Sequence, residues 1–331
     1  MSHFAPQPRP CIDGDSTDRE SKRHVIDSNE TVGEAWSHHH AFLLDIAYRL
    51  LGSYTDAEDM VQEAFSRLLR TDLDPIEDVR AWLVVVVSRR CLDQLRSARM
   101  RRESYVGAWF PEPLIGSRDA QDPSDMVTLD ESVRMAFLIV LERMSPAERV
   151  VFVLHDVFEF PFEKVASIVS RSPEACRQLA SRARQRVKDE AGSARFQIDQ
   201  KEQRRVIDAF IAACSTGDVI ALLPLLDPSV MGWADVGGML PSVSKPTVGS
   251  RDVAEGVMRL FRARPGATLV AHDVNGEPGI IALRNGAVRA VLALTVKQGL
   301  ITRLYAQADP RKLAHVRHAL DQERQNAEAR S

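Results

Sequence analysis

The sequence predicts two all-α helical domains followed by an α+β domain, and three observations carry that order. Apolar residues recur at helical spacing from about residue 31 to 105, and again from Leu129 to about Glu190. Between these stretches, residues 106–128 hold Gly107, Pro111, Pro113, Gly116 and Pro123 with little regular period, as a linker would. From Thr268 onward the pattern alternates at period two, with Asn275-Gly276, Asn285-Gly286 and Gln298-Gly299 between candidate strands. Helices first and a strand meander afterwards imply a separate α+β unit.

The whole-chain quantities narrow the class. A length of 331 residues suits two domains or three small ones. An apolar fraction of 44% with 27% charged residues is that of a packed globular protein. The formal charge of −3 excludes a uniformly basic coat and leaves locally basic faces open. The densest apolar run, Leu83 to Val87, is far shorter than the roughly 18 residues of a membrane span. Met1 to Pro10 lacks the apolar core of a signal peptide, so a cytoplasmic location is expected. Cys11, Cys91, Cys176 and Cys214 match no zinc or redox spacing and read as free thiols.

Taken in order, residues 1–30 are polar, rich in Pro, Asp and Ser, and read as a disordered arm. Thr31 with Glu34 has capping-box spacing, and Thr55 with Glu58 repeats it. His38, His39 and His40 are adjacent, hence about 100° apart on a helix, and read as a solvated end instead of a metal site. After Thr55, Met60, Ala64, Leu68 and Val61, Phe65, Leu69 form one apolar face, with Asp56, Glu58, Asp59, Gln62 and Glu63 mostly off it. A further helix is expected from about Asp78, with its β-prone valines (84–87) overridden by packing. Ser145, Pro146 and Glu148 supply N-cap, N1 proline and N3 glutamate. Ser172 and Pro173 start another helix, along which Ala175, Leu179, Ala183 and Val187 recur every four residues. Helices are expected at 199–214, 218–226 and 250–263. Val288, Ala290, Leu292, Leu294 and Val296 are expected to share one strand face, and the chain to fray from Asp321.

Two segments carry chemistry. Arg89, Arg90, Arg96, Arg99, Arg101 and Arg102 lie within fourteen residues that contain the single acid Asp93, apart from any acidic run. Such a patch suits phosphate contacts, where released counterions drive binding. Residues Ser145 to Lys188 have a helix-turn-helix layout, with the turn at Ser170–Ser172. The last helix carries Arg177, Ser181 and Arg184 opposite its apolar row, with Gln178 and Arg182 beside them, side chains suited to base edges and phosphates. Two basic helical units joined by a linker suit a protein that touches two separated DNA sites. The acidic helix at 55–70 is then a candidate contact for a basic protein partner.

These residues carry a family resemblance. LGSYTDAEDMVQEAFSRLLR (51–70) and AWLVVVVSRRCLDQLRSARMRRE (81–103) resemble region 2 of the extracytoplasmic-function sigma factors. MSPAERVVFVLHDVFEFPFEKVASIVSRSPEACRQLASRARQRV (144–187) resembles region 4. WFPEPL (109–114), with the later α+β domain, resembles members that carry a fused C-terminal SnoaL-like domain of cone-shaped fold. The resemblance implies that Asp56, Glu58, Asp59, Gln62 and Glu63 bind the β′ clamp helices of core RNA polymerase. It assigns Arg89, Asp93, Arg96, Arg99 and Arg101 to the −10 element, and Arg177, Gln178, Ser181, Arg182 and Arg184 to the −35 element. Trp82, tempting as a base wedge, reads as core.

In the extension, the family's Gly-rich Asp motif appears as Asp235-Val236-Gly237-Gly238-Met239-Leu240, and its Asn-Pro-Asp-Lys-Leu motif as Ala308-Asp309-Pro310-Arg311-Lys312-Leu313. Both depart from the family pattern. The role implied for the extension is control in cis, through Trp109, Pro111, Glu112, Pro113, Leu114, Asp235, Gly237, Gly238, Asp309, Pro310, Lys312 and Leu313. The domain boundaries implied are 1–30, 31–105, 106–128, 129–192, 195–320 and 321–331. The expected partners are core RNA polymerase and promoter DNA, with no membrane, no cofactor, no metal and no catalytic residue, and the free protein is expected to be a monomer. A small-molecule ligand in the C-terminal domain stays open. Trp233, Asp235, His272, Asp273 and Tyr305 could line a pocket for one, or for an enzymatic reaction of the ketosteroid isomerase kind, although the sequence pairs none of them. A helix-turn-helix regulator with a sensing or enzymatic domain is the rival reading.

Overall fold

A computed structural model of the chain describes residues 31–72, 75–102, 108–116, 133–191, 200–238, 245–262 and 266–328. The expected arm at 1–30, Cys11 and the stretch 129–132 lie outside these residues. The first three helices are α1 (Val32–Leu51), α2 (Tyr54–Leu68) and α3 (Val79–Arg102). Thr31 and Glu34 form a complete capping box at α1. The second expected box is corrected: the N-cap of α2 is Ser53, whose hydroxyl accepts from the Asp56 amide. Gly52, in the left-handed region at φ 66°, ends α1 one residue earlier. A corner that tight starts α2 before Thr55 can cap it. Asp78 caps α3 through the Ala81 amide, and the valine run is helical.

The second set is α4 (Met135–Glu142), α5 (Pro146–Phe152), α6 (Phe162–Val169) and α7 (Pro173–Ala191), with one π turn, Val153–Val157, extending α5. Ser145 and Glu148 form the expected box with Pro146 inside it. Ser170 turns the chain between α6 and α7 at φ 56°. The buried row of α7 is Cys176, Leu179, Ala180 and Ala183, so the apolar face is rotated from the expected one and Ala175 sits at its edge.

One apolar core serves both helical sets. Leu43, Leu44, Val87 and Leu92 pack with Val150, Leu154, Val165 and Leu179 in a single cluster. Trp82 is half-buried against it. Arg149 is buried and crosses the same junction, donating to the Leu50 carbonyl at 2.9 Å and to Glu142 at 2.6 Å.

The C-terminal domain comprises α8 (Gln200–Thr216), α9 (Val219–Leu222), β1 (Leu226–Asp235), β2 (Thr247–Val248), α10 (Ser250–Arg262), β3 (Ala267–Val274), β4 (Glu277–Arg284), β5 (Ala287–Lys297), β6 (Leu300–Gln307) and α11 (Ala314–Glu328). Its sheet runs in the order β2-β1-β6-β5-β4-β3, with β1 parallel to β6 and the other neighbours antiparallel. The three expected hairpin turns are present, and both residues of each have positive φ.

Three expectations change here. β1 was not anticipated, since strands were expected only from Thr268 onward; it contains Pro228, and the ladder with β6 is irregular between Leu226 and Met231, which accommodates the proline. It also cuts short the helix expected at 218–226. A register shift beside Arg289 turns Val288 away from Ala290, Leu292, Leu294 and Val296, so these five do not share a face. Finally, α11 continues through Asp321 to Glu328, where fraying was expected.

The two sheet faces have different partners. Leu292, Leu294, Leu304 and Ala306 pack with Phe210 of α8 and Met258 of α10. The opposite face meets α4, α11 and residues 108–116. In that last segment Leu114 enters the helical core, while its neighbour Ile115 packs with Val274, Leu313 and Val316 and bridges Val274.

Candidate functional site

The acidic helix α2 presents Asp59 and Gln62 to solvent, with Asp56, Glu58 and Glu63 partly exposed. Glu63 pairs with Arg90 of α3 at 2.6 Å. The start of this helix is held from a distance. The Glu112 carboxylate accepts from Ser53 Oγ at 3.0 Å and from the Tyr54 and Thr55 amides at 2.9 and 3.2 Å. These amides are among the unpaired donors of a helix N-terminus, and a carboxylate there also meets the positive end of the helix dipole. Burial nonetheless raises the Glu112 pKa above the ordinary carboxylate value, against the pull of those hydrogen bonds. Tyr54 also stacks on His315 of α11, ring centres 4.1 Å apart.

On α3, Arg89, Asp93 and Arg96 are exposed at spacings of four and three, hence on one side of the helix. Asp93 and Arg96 pair at 3.4 Å. Arg89 reaches across to the second helical set and donates to the Ser167 carbonyl of α6 at 3.0 Å. Arg99 and Arg101 continue the helix, but their side chains lie outside the described residues.

On α7, Arg177, Gln178, Ser181, Arg182 and Arg184 are all exposed. Arg177 lies 3.4 Å from both Glu163 and Glu174, and 5.5 Å over the Phe162 ring. Arg182 approaches Glu148 at 3.7 Å, and Arg184 bonds Asp156. Surface pairs of this kind add little stability and exchange readily for another anion. The helix therefore carries preplaced guanidinium groups on an open face.

The motif residues of the linker and the extension converge on one buried junction. Asp235, fully buried, accepts the Phe110 amide at 2.9 Å and the Lys312 ammonium at 2.6 Å. Lys312 also donates to the Phe110 carbonyl at 2.7 Å and lies 3.9 Å over the Trp109 ring. Burial lowers the Lys312 pKa, and the Asp235 charge opposes that. Gln307 donates to the Phe110 and Pro111 carbonyls and to Asp235, while its own carbonyl accepts the Asp309 amide. Asp309 is clasped by Arg311; burial raises its pKa, the Arg311 hydrogen bonds and charge more than offset that, and the carboxyl is held low.

Gly237 has φ 71°, and a Cβ there would sit 2.9 Å from the Asp309 carboxyl carbon, so turn and packing both require glycine. Gly238 completes that turn, and its successors Met239 and Leu240 lie outside the described residues. Leu313 is buried, and Pro310 is exposed with its carbonyl bonded by Arg317. Pro111 and Pro113 are buried, Pro111 beneath Gly52.

A residue that sequence reasoning used only as a turn former sits at the centre of this junction. Asn275 exchanges hydrogen bonds with Leu114, its amide at 2.8 Å and its side-chain oxygen at 3.2 Å. Its side-chain nitrogen donates to Tyr48 Oη and to the Val133 carbonyl, each at 2.9 Å. Tyr48 in turn donates to the Glu112 carbonyl at 2.8 Å. One side chain thus joins α1, the linker, the entry to α4 and the sheet. Gln307 and Tyr48 were also missed, since an isolated Gln or Tyr carries no local signal.

The five residues considered for a pocket fall into two places. Trp233 and Tyr305 stack 5.2 Å apart beside Asp235, on the sheet face toward the linker. His272 and Asp273 line a separate cavity of about 330 Å³ at the β3 edge, where His272 pairs with Glu323 and Asp273 with Arg204. They cannot act together with Asp235. Among the described residues no helix is long and apolar enough to cross a membrane.

Comparison with known proteins identifies the family. The model of sigma-70 region 2 matches residues 35–101, and that of sigma-70 region 4 matches residues 134–187. The chain is 42% identical over 298 residues to the probable ECF RNA polymerase sigma factor SigI of Mycobacterium tuberculosis, covering 89% of this chain and 99% of the relative. It is 40% identical over 281 residues to the ECF sigma factor SigJ of the same organism, covering 82% of this chain and 89% of that one. The crystal structure of M. tuberculosis SigJ superposes with a TM-score of 0.68 at 36% identity, covering 86% of this chain and 98% of that chain. That match extends past both sigma regions into the α+β domain.

Proposed function

This chain belongs to the extracytoplasmic-function sigma factors of RNA polymerase and serves promoter-directed transcription initiation; from that premise we propose how its surfaces divide the work. The acidic face of α2, with Asp56, Glu58, Asp59, Gln62 and Glu63, docks on the β′ clamp helices. Arg89, Asp93, Arg96, Arg99 and Arg101 of α3 serve the −10 element. Arg177, Gln178, Ser181, Arg182 and Arg184 of α7 serve the −35 element. The C-terminal domain regulates in cis by fixing where regions 2 and 4 sit. It acts as a binding and positioning module, not a catalyst.

One observation carries the regulatory part. Residues 108–116 lie against α1 and α2 on one side and the sheet on the other, and Asn275 ties both to the entry of region 4. The packing also supports a functional opening. Elements named −10 and −35 lie roughly 25 base pairs apart, or ~85 Å at 3.4 Å per step. Here Arg89 of α3 touches α6, the helix next to α7. The two basic helices cannot reach both elements from this arrangement, so regions 2 and 4 separate on the promoter.

The test is promoter-dependent transcription with purified core polymerase, comparing the full chain with a chain ending near residue 195. A changed yield of specific transcripts is expected. Unchanged yield together with unchanged polymerase affinity overturns control in cis. Charge reversal at Asp59 should weaken polymerase binding, and unaltered binding overturns the docking face.

A further inference from the structure

The sheet ends differently on its two sides. One edge strand, β2, is 2 residues long; the other, β3, is 8 residues long and pairs with β4 in unbroken register. Natural sheets blunt a long edge with proline, lysine, a bulge or a covering element, because its unpaired amides and carbonyls template another strand. β3 contains no proline, lysine or bulge, and its Val270 is 41% exposed. We infer that this edge is a docking site for an extended, basic segment of a partner polypeptide, which pairs with β3 as a further strand of the sheet. The inference rests on the sheet edge alone and is separate from the reading of control in cis.

The ladder fixes which groups are open. The Asp273 carbonyl accepts the Gly116 amide at 3.4 Å, and the Asn275 amide donates to the Leu114 carbonyl at 2.8 Å, so the odd-numbered residues aim their backbone outward. By the alternation of an antiparallel ladder, the N–H and C=O groups of Ala267, Leu269 and Ala271 point the same way. Among the described residues these groups have no partner. The linker occupies only the last rung, where Ile115 bridges Val274. From Ala267 to His272 the edge stays open over ~20 Å, at about 3.3 Å per residue.

The flanks select a basic occupant. The cavity of about 330 Å³ at this edge lies between α8 and α11, and its lining sets one cation, Arg204, against the carboxylates of Asp208, Asp273 and Glu323. Arg204 holds Asp273, and Glu323 holds His272. Asp208 is exposed and has no ion partner among the described residues. A groove of this sign favours a basic segment and disfavours a second copy of this chain, which would set like carboxylates against each other. Side chains directly opposite in a ladder share a face. Ala271 is in step with Asp273, on the α8 side, so a lysine or arginine opposite Ala271 meets Asp208. On the other face Val270 offers a β-branched partner to an apolar side chain. Main-chain bonds supply the affinity of such strand addition, and the alternating side chains supply its register.

Fluorescence anisotropy of the full chain with a labelled peptide that alternates lysine and valine over about seven residues, a common strand length, tests this. Saturable one-to-one binding is expected, with none for the peptide carrying glutamate in place of lysine. Ala271→Pro removes an outward N–H without touching the bonds to β4, and it should weaken binding about tenfold or more. Asp208→Lys should weaken it about fivefold. Both positions are exposed, so both variants should remain folded. Absence of saturable binding overturns the proposal, as does an affinity that neither variant changes. A dimer that Ala271→Pro returns to monomer would put a second copy on the edge, and binding seen only after deletion of residues 117–122 would put the chain's own linker there. Either result overturns a partner segment as the occupant.

Discussion

Two ion pairs in this molecule have the same formal chemistry and opposite circumstances. Arg96 and Asp93 on α3 are 57% and 63% exposed, whereas Lys312 and Asp235 at the linker junction are 11% and 0% exposed. Water screens the first pair, and its members can part for a phosphate or a base at little expense. The second pair has lost its hydration, and each partner depends on the other and on Phe110. The basic face of α3 carries an interaction that exchanges, and the interdomain junction one that does not. That difference lets a fused domain hold its position while the basic helices remain free to change partners.

The contrast breaks most sharply at Asp235. Asp235→Ala leaves a buried ammonium and the Phe110 amide unpaired, and it should destabilise the closed chain by about 3–5 kcal/mol. Thermal denaturation measures this, and a loss under 1 kcal/mol would place the pair in water. His315 tests the same junction by pH. Burial lowers its pKa from 6.5 to about 4, so the unfolded chain binds its proton first. Stability from this group is complete above pH 6.5 and falls as pH drops toward 4, by up to ~3 kcal/mol. The difference in stability between the parent chain and His315→Phe isolates that slope; parallel pH profiles would contradict it.

On the exposed side the effects are smaller and belong to binding. Arg177→Ala should weaken promoter binding by about 1–3 kcal/mol and relax preference at one −35 position if it reads a base. Equal weakening on every sequence would make it a phosphate contact. Asp93→Ala should change folding stability by no more than ~0.5 kcal/mol. A larger loss would move this pair into the buried class.

What could be read from the chain follows the range of each interaction. Thr31 with Glu34 and Ser145 with Glu148 announce their helices because both partners of each box lie within one turn. The three hairpin turns are legible for the same reason. β1 was hidden because Pro228 and Gly232 contradict strand propensity and only the partner β6 overrides them. The motif residues of linker and extension could be named from a resemblance, and the structure brings them together. The pairing of Lys312 with Asp235 has no local trace, since 77 residues separate them. Asn275 looked like a turn residue, and it is one; its side chain's second task depends on Tyr48, Leu114 and Val133, which only the fold brings near.

The distance in sequence between Asn275 and Tyr48 sets a timetable for a newly made chain. They are 227 residues apart. At a synthesis rate of about 5–20 residues per second, Asn275 emerges roughly 10–45 s after Tyr48. Both helical sets are complete well before then. For that interval the ribosome displays both helical sets without the C-terminal domain that later packs on them, and under the function proposed above core polymerase would compete with the last third of the chain for first access.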